Sequence, residues 1–156
     1  MPSPNSYAFT VKYPGIVYEL KSDCKINQAF SLSDEAGVPP LRTFDCVWDT
    51  GASCSCISRR VVSECGLGPT GMTEIITANG SAETETYLIN VLLPNNVLVQ
   101  EVRVAACNLV GTDVLIGMDI ISLGDFVVTN KDETVLSFRW PSVECLDFEV
   151  PHAPHP

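Results

Sequence analysis

The chain has 156 residues, 46% of them hydrophobic and 18% charged, which excludes a disordered chain and suits one domain with its own core. Nineteen acidic residues stand against nine basic ones, for a formal net charge of −10; such a chain repels phosphate backbones, so nucleic acid is not an expected partner. No apolar run approaches the roughly 18 residues of a membrane span, and the opening Met1-Pro-Ser-Pro-Asn-Ser-Tyr7 lacks the basic start and apolar stretch of a secretion signal, so no membrane partner and a cytoplasmic location are expected.

Short runs rich in Val, Ile, Thr, Tyr and Phe, separated by turn residues, predict a mainly β protein. Tyr7–Tyr13 and Gly15–Leu20 read as opening strands, Ser33–Pro40 as a loop and Leu41–Trp48 as the next strand, ending at Asp49-Thr50-Gly51-Ala52-Ser53. Ser58 to Gly66 carries a helix signature: Ser58 as N-cap, Val61, Val62 and Cys65 on one face, and Gly66 at C′. Thr73–Ala78 and Glu83–Leu93 flank Asn79-Gly80, a hairpin dipeptide, and a second hairpin turns at Pro94-Asn95-Asn96 before Val97–Ala106. Val114 to Gly124 reads as an apolar strand, a glycine and a short helix capped by Asp119. Phe126–Asn130 and Thr134–Trp140 are the closing strands, joined by a turn at 130–133. Residues 1–150 are expected to form one domain, and the proline-punctuated 151–156, which holds His152 and His155, a disordered tail. The seven cysteines are odd in number and dispersed, unlike a disulfide framework, and are expected to be reduced thiols, several of them buried.

Chemistry concentrates around Asp49. Asp-Thr-Gly-Ala follows an apolar strand end, Cys46-Val47-Trp48; further on, Leu115-Ile116-Gly117 leads directly into a helix, and a glycine-tipped hairpin lies between the two. A plain turn would also use Asp, Thr and Gly, but it would not need the second element. Gly66-Leu-Gly-Pro-Thr-Gly71 matches G-x-G-x-x-G yet follows a helix and precedes a strand, the reverse of a dinucleotide-binding context. Cys54 and Cys56 with the two histidines make a poor metal set, because a single residue separates the cysteines. Trp48 and Trp140 are expected as core or interface aromatics.

From about Leu41 to Asn130 these motifs resemble the retropepsin-like aspartic peptidases, the group of retroviral proteases and their single-domain cellular and bacterial relatives. The resemblance implies a closed β-barrel, half of an acid protease, with a flap hairpin, one or two short helices and a two-fold homodimer. It implies Asp49 as the catalytic acid, Thr50 and Gly51 as supports of the catalytic loop, and Ala52, Asn79, Gly80, Leu115 and Ile116 as substrate-binding residues. The expected activity is endopeptidase cleavage of a peptide or protein substrate, with no metal or organic cofactor. Retroviral enzymes usually place an acid just after Asp-Thr-Gly-Ala and an arginine just after the downstream glycine; Ser53 and Met118 stand here, so that ion pair is missing as a unit and no charge is stranded. The competing reading is a non-catalytic dimerisation or peptide-binding module on the same fold.

Overall fold

The computed structural model describes residues 7–33, 37–77 and 80–149; Asn79 and the predicted tail at 151–156 lie outside the described residues. In chain order the elements are β1 (Tyr7–Lys12), β2 (Leu20–Gln28), β3 (Arg42–Trp48), β4 (Cys56–Ile57), α1 (Arg59–Glu64), β5 (Gly71–Thr77), β6 (Gly80–Leu93), a 3-10 turn (Pro94–Asn96), β7 (Val97–Ala106), β8 (Val114–Ile116), α2 (Met118–Ile121), β9 (Asp125–Thr129) and β10 (Val135–Trp140).

Alternating burial explains the main sheet. Tyr87, Ile89, Val91 and Leu93 on β6, and Val97, Val99, Val102 and Val104 on β7, all point inward. The strands run in the order β2-β3-β8-β4-β7-β6-β5, and β2 pairs again with β6, so six strands close into a barrel and β5 extends outside it on β6. Between Ile89 and Val91 the β6–β7 register shifts; the buried Asn90 there accepts the Glu101 N–H at 3.1 Å and donates to Asn27 at 3.2 Å. Such an irregularity bends a long strand and helps a barrel close.

A smaller sheet, β1-β10-β9, lies against one side of the barrel. The contact is aromatic: Trp48 meets Phe9, Phe126 and Phe138 with ring centroids 5.9, 5.6 and 5.4 Å away. Such pairs add about 0.5–1.5 kcal/mol each beyond the area they bury. Trp140, in contrast, is 37% exposed and stacks on Tyr7.

One sequence expectation needs correction. Of the expected Gly15–Leu20 strand only Leu20, the first residue of β2, is extended in a sheet: Gly15 sits at φ +127°, the segment is tied to Thr134 through Thr134 N–H to Gly15 O and Val17 N–H to Thr134 Oγ1, both at 3.0 Å, and Tyr18 is fully exposed. Its strand-like composition finds no neighbouring strand. The strand is β2 instead, where charged Lys21, Asp23 and Lys25 alternate with buried Cys24 and Ile26, a half-buried pattern masked by its charges. No helix among the described residues is long and apolar enough to cross a membrane.

Candidate active site

Asp49 immediately follows β3, whose parallel partner β8 supplies the support: Cys46, Val47 and Trp48 lie opposite Val114, Leu115 and Ile116. The ladder extends one step further, because Asp49 N–H donates to the Ile116 carbonyl at 2.9 Å. Asp49 is half-buried, and its Oδ1 accepts the Gly51 N–H at 2.8 Å, the Asx geometry that fixes a side chain over its own loop. A Cβ on Gly51 would stand 3.1 Å from that oxygen. Thr50 and Gly51 are exposed, so the tip of the loop is open to solvent in the single chain.

The loop is held from beneath by α2. Ala52 N–H bonds back to the Asp49 carbonyl at 3.2 Å, and the Ala52 carbonyl accepts Met118 N–H at 2.8 Å. Gly117 is packed so closely that a Cβ there would lie 2.8 Å from the Cys54 carbonyl carbon and 2.9 Å from the Ala52 oxygen. Asp119 is not the helix cap; the N-cap is Gly117, which makes no side-chain cap bond. Asp119 reaches across instead, accepting Ser55 N–H at 2.9 Å and Ser55 Oγ–H at 2.7 Å, while Ser55 Oγ accepts Gly117 N–H at 3.0 Å. Ser55 is 1% exposed. A buried hydroxyl satisfied on both sides is a rigid joint, and it locks the arm that leaves the Asp-Thr-Gly loop to the turn below.

The hairpin β5–β6 pairs from Gly71–Thr86 to Thr77–Gly80. Gly80, at φ +115°, is therefore the first residue of β6, while the Asn79 half of the expected turn dipeptide lies outside the described residues. At its base Glu85 accepts from Arg59 at 2.7 Å and from Tyr87 Oη at 2.8 Å, tying β6 to α1; the Arg59 and then the Tyr87 hydrogen bond hold the Glu85 carboxyl below its ordinary pKa. The helix itself matches its signature: Ser58 Oγ accepts Val61 N–H, and Gly66, at φ +59°, and Leu67 donate back to Ser63 and Val62 in a Schellman ending.

Of the residues expected at the site, Asp49, Thr50, Gly51 and Ala52 share one loop, and Gly80 sits at the end of the β5–β6 hairpin. Leu115 is half-buried, and Ile116 is fully buried with its carbonyl under Asp49. Sequence reasoning missed Ser55 and misassigned Asp119. An i-to-j joint across 64 positions leaves no local trace, although a serine flanked by two cysteines and followed by an apolar strand residue is a weak sign of burial.

A closed six-stranded barrel presenting an Asp-Thr-Gly loop braced by an Ile-Gly strand and helix is the architecture of retropepsin-like aspartic peptidases. The sequence profile described as "gag-polyprotein putative aspartyl protease" matches residues 42–123, more than half of the chain. The chain belongs to this aspartyl protease family. Its fold is similar to the crystal structure of a retropepsin-like aspartic protease from Rickettsia conorii, with a TM-score of 0.55 at 14% identity over 86% of this chain and 95% of that one. The solution structure of the simian foamy virus (mac) protease is more distant, with a TM-score of 0.45 at 14% identity over 66% of this chain and 92% of that one. A search of curated proteins by sequence returned no match.

Proposed function

We propose that this protein is a homodimeric aspartic endopeptidase in which two Asp49 carboxylates, one from each copy, activate a water molecule between them. The observation that carries the reading is the single Asp-Thr-Gly loop, held rigidly yet open at its tip. Two carboxyls about 3 Å apart share one proton, because like charges that close do not both ionise. The ionised member takes a proton from the attacking water, and the protonated member donates to the scissile carbonyl oxygen. The acids themselves supply acid and base, so the reaction draws on no metal or organic cofactor. Thr50 and Gly51 support the loop, Ala52, Leu115 and Ile116 form or back the subsite wall, and Asn79 and Gly80 close over a peptide substrate as a flap.

The sheet edges support self-association. On β1 the outer edge is occupied by Asn95, whose Nδ2 donates to the Ala8 carbonyl at 2.7 Å. On β9 no described strand covers the outer edge, which carries Phe126, Val127, Val128 and Thr129 without a lysine or proline; its one charge, Asp125, is already paired with Arg139 at 2.6 Å. Unprotected edges of this kind pair with another strand, and a strand meeting its own copy about a two-fold axis does so antiparallel. Phe126 of β9 stacks on Trp48, the residue before Asp49, so β9 packs against the strand that carries the loop.

Asp49→Asn, nearly isosteric and not ionisable, is expected to lower cleavage of a mixed peptide library by at least about a thousandfold with an unchanged circular dichroism spectrum. Undiminished cleavage by that variant would sink the assignment of Asp49. A wild-type protein that binds peptides without cutting them would favour the non-catalytic module.

A further inference from the structure

Seven thiols are free, and two pairs of them touch. Cys24 and Cys46 form the first pair, at 2% and 0% exposure, sealed in the barrel core. The second pair is Cys56 and Cys107, both only partly buried and therefore reachable by solutes. Cys54 and Cys145 are exposed; the Cys56 thiol lies 3.9 Å from the Cys54 carbonyl oxygen, but no other sulfur neighbours the Cys54 or Cys145 thiol on a paired strand.

The second pair is created by the barrel's topology. Strand β4 runs parallel to β7 with Cys56 opposite Ala105 and Ile57 opposite Ala106, and the Cys107 N–H donates to the Ile57 carbonyl at 2.8 Å, extending the ladder by one residue. Ile57 and Ala106 point into the core at 0% and 3% exposure, so by strand alternation Cys56 and Cys107 share the opposite face. There the two thiols are diagonal neighbours on adjacent strands, close enough to perturb each other's ionisation, while the Cys56 S–H lies 3.9 Å from the Cys54 carbonyl. Arg59, the first residue of α1, follows Ile57 by two positions and places a guanidinium close enough to act on Cys107.

We propose that Cys56 and Cys107 are a peroxide-reactive thiol pair, with Cys107 as the attacking thiolate and Cys56 as the resolving thiol that closes a β4–β7 disulfide. The neighbouring Cys56 thiol and, after it, the Arg59 charge outweigh partial burial and bring the Cys107 pKa down to about 7, whereas Cys56 is pushed up by its Cys107 neighbour and stays protonated. A thiolate populated near neutral pH beside a neutral thiol is the arrangement that oxidises selectively. In the first step the Cys107 thiolate attacks one oxygen of hydrogen peroxide, the O–O bond breaks, and a sulfenic acid and hydroxide result. In the second, the Cys56 sulfur attacks the sulfenic sulfur and water leaves. Hydroxide recovers the proton that Cys107 lost on ionising, so two thiols and one peroxide yield one disulfide and two waters. Cys56 directly follows Ser55, the joint beneath the Asp49 loop, so the bond would tie the returning arm of that loop to β7.

The test uses the full chain and does not depend on protease activity. Reduced protein is treated with hydrogen peroxide at neutral pH, remaining thiols are alkylated with iodoacetamide, and peptides are mapped by mass spectrometry before and after dithiothreitol. The expected result is a Cys56–Cys107 linked peptide as the main intramolecular product, reversed by dithiothreitol and absent in Cys56→Ala, where Cys107 oxidises onward to sulfinic acid. Alkylation of reduced Cys107 is expected to show a midpoint near pH 7 that moves upward in Arg59→Gln, a surface change that leaves the core intact. Oxidation confined to Cys54 and Cys145, with Cys56 and Cys107 alkylated as in untreated protein, would overturn the proposal; so would a Cys107 midpoint no lower than that of Cys145.

Discussion

Two glycines at the Asp49 loop answer to different constraints. At Gly117 the obstructing atoms are backbone, Cys54 C at 2.8 Å and Ala52 O at 2.9 Å, and neither can move without disturbing the loop. Gly117→Ala is therefore expected to cost about 3 kcal/mol, the upper end of ordinary overpacking, read as a lower midpoint in urea unfolding. At Gly51 the obstructing atom is the Asp49 carboxylate oxygen, 3.1 Å away, the end of a side chain that can turn. Gly51→Ala is expected to fold with near-normal stability and to lose cleavage activity, because the acid is displaced from its bond to the residue-51 N–H. Equal urea midpoints for the two variants would contradict this separation.

At the level of elements, β9 is fastened to β10 and to the segment after it through one carboxylate. Asp125 accepts two hydrogen bonds from Arg139, at 2.9 and 2.6 Å, one from Val143 N–H at 3.0 Å and one from Ser142 Oγ. The Ser142 and Val143 bonds, followed by Arg139, hold its pKa down at about 2. A carboxylate depressed in the folded state stabilises the fold above its unfolded pKa of about 3.9, and that contribution is lost as pH falls through the folded value. Acid unfolding is thus expected to draw on Asp125 between about pH 4 and pH 2. Asp125→Asn is expected to lose about 1–3 kcal/mol at neutral pH, in the range of charge-assisted hydrogen bonds, and to show a shallower stability loss across that acid window, both measured by urea titration at a series of pH values. A wild-type slope in the variant would place the acid sensitivity elsewhere.

For the whole molecule, the proposed dimer couples assembly to acidity. Each chain carries a formal charge of −10, so association joins two bodies of like sign; protonation of surface carboxylates below about pH 6 relieves that repulsion, and salt screens it. The paired Asp49 carboxyls also need one shared proton, which gives two coupled apparent pKa values and a bell-shaped rate profile on the acid side of neutrality. Specific activity is expected to fall on dilution and to rise with salt at neutral pH, checked by cleavage rates at two pH values and two ionic strengths with sedimentation in parallel. Activity strictly proportional to concentration, from a particle of monomer mass, would exclude a shared site.

The sequence by itself determined the local features of this protein. The Asp-Thr-Gly-Ala string, the Ser58 cap and Gly66 stop of α1, the Pro94–Asn96 turn and the apolar β8 are each specified within a few residues, by turn chemistry, capping or side-chain period, and they stand where the residues place them. What required the tertiary structure were pairings between distant segments. The Gly15–Leu20 run has strand composition but finds no neighbour before Leu20, whereas charged β2 is a barrel strand because β3 and β6 flank it. Asp119 had a local role available as a helix cap, and it bonds instead to a serine 64 positions away because the parallel β3–β8 ladder brings α2 under the loop. Composition and period report on a residue's immediate neighbours; which acid meets which hydroxyl, and which thiol meets which thiol, is decided only when the barrel closes.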